Sequence, residues 1–304
     1  MFSAIGIFAF AVTFVSGAPT TVPLDLLKRS ETAVSAADLK SLAPYTQFAR
    51  AAYCPAGIST WNCGAACQAN SDFQVTLAGG DGGSIQHYFV GYSPSLKSVI
   101  VSHEGTDPLE LESDLTDINL LLGDLDSTLF PGVTDVVQAH TGFRDEHAKT
   151  AAIILKEVKR LFTAKGTKSV TLVGHSLGGA IAELDSLYLK LNLPSDSSIQ
   201  AVTFGTPRVG NSAFAELIDT KVVKFKRVNN DHDLIPILPG RFLGYAHPEG
   251  EIHLEGPGKG FACSGNDDAT DPDCTINVVP NVFSGNILDH LGPYEGIYIG
   301  TIYC

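Results

Sequence analysis

Residues 172–179 read Leu-Val-Gly-His-Ser-Leu-Gly-Gly: an apolar run, then a Gly-x-Ser-x-Gly pentad, continuing into Ala180-Ile181-Ala182-Glu183-Leu184, good helix formers. A serine on a sharp strand-to-helix turn with glycines two positions to either side is a nucleophile elbow, and it puts Ser176 forward as the attacking group of an acyl-transfer reaction. The spacing has a steric cause. Strand and helix backbones pass close together at such a turn, and Gly174 and Gly178 leave the room that a Cβ would fill. The helix start adds unpaired N–H groups and the positive end of the macrodipole, both suited to the anionic oxygen of a tetrahedral intermediate.

A serine of this kind needs an acid and then a histidine further along the chain. Two segments supply them: Asn229-Asn230-Asp231-His232-Asp233-Leu234-Ile235-Pro236 and Ile287-Leu288-Asp289-His290-Leu291-Gly292. His290 is assigned as the base that takes the Ser176 proton and passes it to the leaving alcohol. Asp233 is assigned as the acid that holds the imidazole tautomer and stabilises its charged form. The chain has nine histidines, so spacing alone leaves the base open. Apolar Leu234, Ile235, Ile237, Leu238, Ile287 and Leu288 around these loops suit an acyl chain, and would equally suit core packing. The mechanism calls on no metal and no organic cofactor.

Elements must bring these segments together. Ser35 to Asp38 reads as a helix start, with Leu39, Leu42, Tyr45, Phe48 and Ala52 at helical spacing. Strand-like runs follow at 73–77, 85–92 and 99–103. A long helix is predicted from Asp145 to Lys165, with Ala148, Ala152, Ile154, Leu155, Val158 and Leu161 as its core stripe. Then come the elbow strand, its helix to Leu191, a strand from Ala201 to Phe204, a helix near Asn211 to Ile218, and a strand from Val222 to Val228. Alternating strands and helices predict an α/β fold with a mainly parallel sheet covered on both faces, and with catalytic loops at the carboxyl ends of the strands.

The N-terminus is an apolar run to Val15 followed by Ser16-Gly17-Ala18, the pattern of a secretory signal over residues 1–18. Lys28-Arg29 closes a short stretch at 19–29 that reads as a pro-segment, leaving 30–304 as one domain. The expected location is extracellular. Six cysteines in an exported chain imply three disulfides, for which fifteen connectivities are possible. Cys63 and Cys67 enclose one small loop and Cys263 and Cys274 another, leaving Cys54 to tie the first helix to the last strand at Cys304. Asn-x-Ser/Thr sequons are absent. The net charge of −13 becomes about −14 once residues 1–29 are removed. Nucleic acid is therefore not an expected partner, and no obligate protein partner is indicated. Between Lys97 and Arg144 there is no Lys or Arg, whereas Glu104, Asp107, Glu110, Glu112, Asp114, Asp117, Asp124, Asp126 and Asp135 all fall there. This stretch is expected to form an acidic face around the mouth of the site.

Four separated segments carry a more specific resemblance: the Gly105-Thr106 turn after a strand, His140-Thr141-Gly142-Phe143, Gly174 to Gly179, and Asp233-Leu234-Ile235-Pro236 together with Asp289-His290-Leu291. In their order and spacing, over roughly residues 40–304, the chain resembles the fungal class 3 triacylglycerol lipases, the family of the Rhizomucor and Thermomyces lipases and related to the type A feruloyl esterases. The resemblance implies an α/β-hydrolase fold with a lid segment and a triad of Ser176, Asp233 (rather than Asp231) and His290. It also implies an oxyanion hole from the backbone N–H and hydroxyl of Thr106 and the backbone N–H of Leu177. The family's cysteine pattern agrees with the pairing given above. Family members often carry Arg before this Gly, where the chain has Glu104. The lid would carry Leu111, Leu115, Ile118 and Leu122 on one helical face, with Glu110, Asp114 and Asp117 off it. The aromatic lid residue of several relatives is missing, because Trp61 is the only Trp. The activity so implied is hydrolysis of acylglycerol esters at a lipid–water interface through an acyl-enzyme. The alternatives are a feruloyl or other soluble-ester esterase and, more remotely, a catalytically inactive wall-binding protein.

Overall fold

The computed structural model describes residues 32–106, 120–267 and 271–304. The expected signal and pro-segments lie outside the described residues. So do residues 107–119, which include Leu111, Leu115 and Ile118 of the expected lid and five of the nine acidic residues.

The described strands are β1 (Thr32–Ala33), β2 (Gln74–Gly79), β3 (Tyr88–Ser93), β4 (Ser98–His103), β5 (Leu122–Asp124), β6 (Gln138–His140), β7 (Ser169–His175), β8 (Ser198–Phe204), β9 (Gly210–Asn211), β10 (Phe225–Asn230), β11 (Tyr245–Ala246), β12 (Glu251–Leu254) and β13 (Gly260–Cys263). Nine of them form the main sheet in the order β1-β13-β12-β10-β8-β7-β4-β3-β2. The five central strands β4, β7, β8, β10 and β12 run parallel, and the pairs toward both edges are antiparallel. β4 is buried along its whole length and β7 nearly so, which is why they read as unbroken apolar runs rather than alternating ones. Even so, their side chains divide between two cores: Val101 and Leu172 face one, Ile100 and Val173 the other.

Helices cover both faces. They are α1 (Ala36–Lys40), α2 (Ala43–Ala52), α3 (Ala65–Ala69), α4 (Thr141–Lys165), α5 (Leu177–Asn192), α6 (Ser212–Lys221) and α7 (Thr275–Val278). The predicted first helix is broken in two at Ser41 and Leu42, with Pro44 in the first turn of α2, where its missing N–H costs nothing. The long helix begins four residues before its predicted start. The His140 ring caps it, Nδ1 accepting from the N–H groups of Gly142 (3.1 Å) and Phe143 (3.3 Å), a role that rules built on Ser, Thr, Asp and Asn do not flag. Its buried stripe is Phe143, His147, Thr150, Ala151, Ile154, Val158 and Leu161. Ala148 and Ala152 are exposed, so the predicted stripe was one residue off at its start, where a buried histidine holds the core position.

Cys54–Cys304, Cys63–Cys67 and Cys263–Cys274 are bonded. The first joins the end of α2 to the C-terminus, where the expected strand is instead a 3-10 turn, Thr301–Tyr303. Arg50 strengthens the same junction by donating from Nε to the carbonyl of Tyr303 at 3.1 Å.

Candidate active site

Four parallel strands end side by side. His103 of β4 pairs with Gly174 of β7, His175 with Phe204 of β8, and Phe204 with Val228 of β10. The loops leaving these ends carry Thr106, Ser176 and Asp233, so the sheet register itself gathers residues from distant parts of the sequence.

Ser176 lies between β7 and α5 with φ 58° and ψ −130°, the left-handed half of the map that a side chain rarely occupies. The crowding around it accounts for the glycines. A Cβ on Gly174 would sit 2.0 Å from the carbonyl oxygen of Gly178, and one on Gly178 would sit 2.4 Å from that of His103. A Cβ on Gly105 would come within 2.9 Å of the Ser176 Cβ, so the Gly105-Thr106 turn rests directly against the serine. Leu177 opens α5, where its N–H has no intrahelical acceptor.

His290 and Asp233 are completely buried, with His290 Nδ1 donating to Asp233 Oδ2 at 2.9 Å. The other carboxylate oxygen, Oδ1, accepts the Ile235 N–H at 2.9 Å, so the loop after Asp233 orients the acid. This leaves His290 Nε2, on the far side of the ring, buried and without a hydrogen-bond partner among the described residues. Asp231, two residues from Asp233, is turned away and pairs with His232 at 2.7 Å.

The backbone of the His290 turn is held from three sides. The carbonyl of His290 accepts from His175 Nε2 (2.7 Å) and from the Tyr294 hydroxyl (3.0 Å), and that of Asp289 accepts from Asn230 Nδ2 (2.9 Å). Tyr53 donates its hydroxyl to His175 Nδ1 at 2.8 Å, which fixes the neutral Nε2–H tautomer. Burial, reinforced by the neighbouring His290, pushes the His175 pKa well below its ordinary value, in keeping with that neutral form. Burial and the nearby Asp233 charge push Tyr294 well above its usual range, so it stays a donor. Sequence reasoning missed Tyr53, Asn230, His175 and Tyr294. Only His175, inside the pentad, carried a local signal.

A cavity of about 900 Å³ opens over Ser176, Thr106 and Leu177. Its walls are mostly apolar, including Phe143, Pro207, Ile235, Ile237, Leu238 and Phe242. Ile235 therefore lines the site, but Leu234 and Leu288 do not. Leu234 packs against Gly285, and Leu288 points outward with 68% of its surface exposed, because the short turn over Ile287–Leu291 buries His290 and Leu291 instead. The acidic face is also thinner than expected. Glu104 is buried and accepts the His87 N–H at 3.2 Å, while Asp124, Asp126 and Asp135 are exposed.

Two groups of possible metal-ligating type occur among the described residues, and neither lines the cavity. In one, Glu251 approaches Cys263 and Cys274, whose sulfurs are joined to each other. The other is the outward cluster of Asp231, His232 and Asp289.

An elbow serine, a buried His–Asp pair and a turn packed on the serine, at the carboxyl edge of a central parallel sheet, define a serine hydrolase of α/β-hydrolase fold. The comparisons narrow this further. The family described as Lipase (class 3) matches residues 100–243. The secreted mono- and diacylglycerol lipase MDL5 of Malassezia globosa is 30% identical over 76% of this chain and 72% of its own length. The secreted mono- and diacylglycerol lipase LIP2 of Malassezia restricta is 33% identical over 60% of this chain, and the match spans 58% of that relative. A triacylglycerol lipase structure, described as having a serine protease triad at its catalytic centre, superposes with a TM-score of 0.77 at 26% identity, covering 90% of this chain and 99% of that one. The chain belongs to the class 3 lipase family.

Proposed function

We propose that this protein is an exported lipase that hydrolyses acylglycerols through an acyl-enzyme on Ser176. The observation that carries the reading is an elbow serine that lines an apolar cavity large enough for an acyl chain, together with the buried, Asp233-oriented His290 of the same sheet edge. His290 Nε2 takes the Ser176 proton as Oγ attacks the ester carbonyl, and Asp233 stabilises the imidazolium that forms. The N–H groups of Thr106 and Leu177, with the Thr106 hydroxyl, receive the negative oxygen. Collapse of the intermediate sends the proton from His290 to the leaving alcohol. Water then repeats the cycle on the acyl-enzyme and releases the fatty acid.

The cavity rim supports a lipid–water interface as the place of action. Phe242 is 90% exposed and lines the cavity, and Phe283, next to the lining residue Val282, is 96% exposed. Apolar side chains standing in water on one rim suit a surface that docks on lipid. The names of the Malassezia relatives favour mono- and diacylglycerols among the glycerides. Export through the 1–18 signal, followed by cleavage after Lys28-Arg29, fits three disulfides in one domain.

The test compares release of acid from short- and long-chain mono-, di- and triacylglycerols and from methyl ferulate, with Ser176→Ala as the blank. Long-chain glycerides as the best substrates fit the proposal. A preference for methyl ferulate would make the protein a soluble-ester esterase.

A further inference from the structure

A second buried His–Asp assembly lies away from the triad. Asp185, on the inward face of α5, accepts from His103 Nε2 on Oδ2 at 2.7 Å and from His147 Nε2 on Oδ1 at 2.9 Å. None of the three side chains has more than a trace of exposed surface. His147 packs against Phe130 and Tyr188, and its Nδ1 has no hydrogen-bond partner among the described residues. Burial alone would raise the Asp185 pKa; the two imidazole bonds outweigh it and hold the carboxyl down at about 2. Asp185 is thus a carboxylate, and each imidazole presents an N–H to it.

The three residues belong to three of the elements that build the site. His103 is the last residue of β4, three positions before Thr106. Asp185 stands on the helix that Ser176 opens, and His147 on α4, whose first turns give the cavity Gly142, Phe143 and Glu146. Where the first turn of α5 meets the end of β4, at Gly178, the contact is with bare backbone. The carbonyls of His103 and Glu104 lie 2.4 and 2.6 Å from where a Gly178 Cβ would be, so no side chain interlocks there to set the spacing. Asp185, about two turns along the same helix, supplies the interlock.

We propose that Asp185, with His103 and His147, is a positioning device that sets the distance between the Thr106 and Leu177 oxyanion donors and the wall of the acyl cavity. The inference rests on the assignment of Thr106 as an oxyanion donor. Asp185 touches neither substrate nor triad and acts only through the elements it joins. A displacement of about 1 Å at such donors is enough for about a hundredfold loss in rate.

The experiment is a double-mutant cycle between Asp185→Asn and Thr106→Ala, reading kcat and KM on a soluble ester, with unfolding midpoints for every variant. Asparagine keeps the shape and one acceptor oxygen but turns a donor toward the second imidazole. Asp185→Asn is expected to lower kcat by about ten- to a hundredfold with KM within about twofold. In the Thr106→Ala background the same change should cost at least about threefold less than in the wild type, because the hydroxyl, one of the three donors it positions, has gone while the two backbone N–H groups remain. Full additivity, or a raised KM with kcat unchanged, would overturn the proposal. Should Asp185→Asn not fold, the His103 pair decides: His103→Gln, which can still donate to Asp185, should keep most of kcat while His103→Phe loses it. Equal kcat in those two enzymes would also overturn the proposal. If Thr106→Ala itself leaves kcat untouched, the oxyanion assignment fails and this inference goes with it, a result separable from additivity.

Discussion

The floor of the site and its rim are built on opposite principles. On the floor, Ser176, His290, Asp233, His175 and Tyr294 are buried, and the His290 turn is tied to the rest by side-chain bonds of 2.7–3.0 Å. At the rim, Phe242 and Phe283 stand largely in water. Proton transfer needs groups fixed to a fraction of an ångström, and burial with the hydrogen bonds that tie down the His290 turn and the Asp233 carboxylate supplies that rigidity. Admission of a lipid needs apolar area that is exposed before substrate arrives, which a sealed core cannot offer. Mutations in the two regions should therefore fail in different ways.

The largest effects are expected on the floor. Ser176→Ala, His290→Ala and Asp233→Asn should each lower kcat by about 10⁴-fold or more, with double variants hardly worse than singles, because the three act as one unit. Folding, followed by circular dichroism, should survive. A crippled Asp231→Asn beside an active Asp233→Asn would reverse the choice of acid. Next in size is Thr106→Ala, expected to lose about ten- to a thousandfold in kcat with little change in KM, while Thr106→Ser keeps most of the rate. Equal losses in the two variants would point to packing rather than to a hydroxyl donor.

Rim changes should act on one kind of substrate only. Phe242→Ser with Phe283→Ser is expected to lower the rate on emulsified glyceride several-fold and to leave hydrolysis of a dissolved short-chain ester within about twofold, since both rings add apolar area to the surface that docks on lipid and are only partly buried there. Equal losses on both substrates would erase the distinction between rim and floor.

The smallest effect concerns a burial that the floor tolerates at some cost. Glu183, on the helix behind Ser176, is fully buried with neither carboxyl oxygen hydrogen-bonded among the described residues, and burial raises its pKa to about 8 against the opposing charge of Arg227. The folded protein keeps this proton up to about pH 8, whereas the unfolded chain releases it near 4.5. The folded state therefore binds the extra proton between those values, and stability falls as pH rises through that window. Glu183→Gln should flatten the decline, which for a single group reaches at most about 1.4 kcal/mol per pH unit. Chemical unfolding at several pH values checks it, and parallel curves for the two proteins would show that Glu183 is not its source.

What the sequence made legible follows the range of the constraint. The elbow was readable because its pattern lies within five residues: Gly174 is required by the Gly178 carbonyl inside the turn, and Gly178 by the β4 carbonyls that any such turn at the centre of a parallel sheet runs against. Chain order called for an acid and then a histidine, and the choice of Asp233 and His290 came from the resemblance of the Asp-Leu-Ile-Pro and Asp-His-Leu segments to the class 3 lipases. Tyr53 and Asn230 were not readable, because each acts on a residue brought near only by the fold; Tyr53 and His175 are 122 positions apart, Asn230 and Asp289 59. Tyr294 bonds only four positions back, to the His290 carbonyl, but nothing in its local sequence marks that bond. Leu234 and Leu288 were misread as cavity lining for a different reason. Apolar identity says that a side chain seeks cover, but in a short 3-10 turn it does not say on which side. His147 was passed over because a core stripe was sought among apolar residues, and a histidine paired to a buried carboxylate fills such a position equally well.

The central claim, a single acyl-accepting serine activated by His290, can be tested directly by intact-mass and peptide-mapping analysis after treatment with an alkyl phosphonate ester. One adduct per chain is expected, on Ser176, formed rapidly in the wild type, far more slowly in His290→Ala and not at all after unfolding. Continued glyceride hydrolysis by a fully labelled enzyme, or a stoichiometric adduct on any other residue, would contradict it.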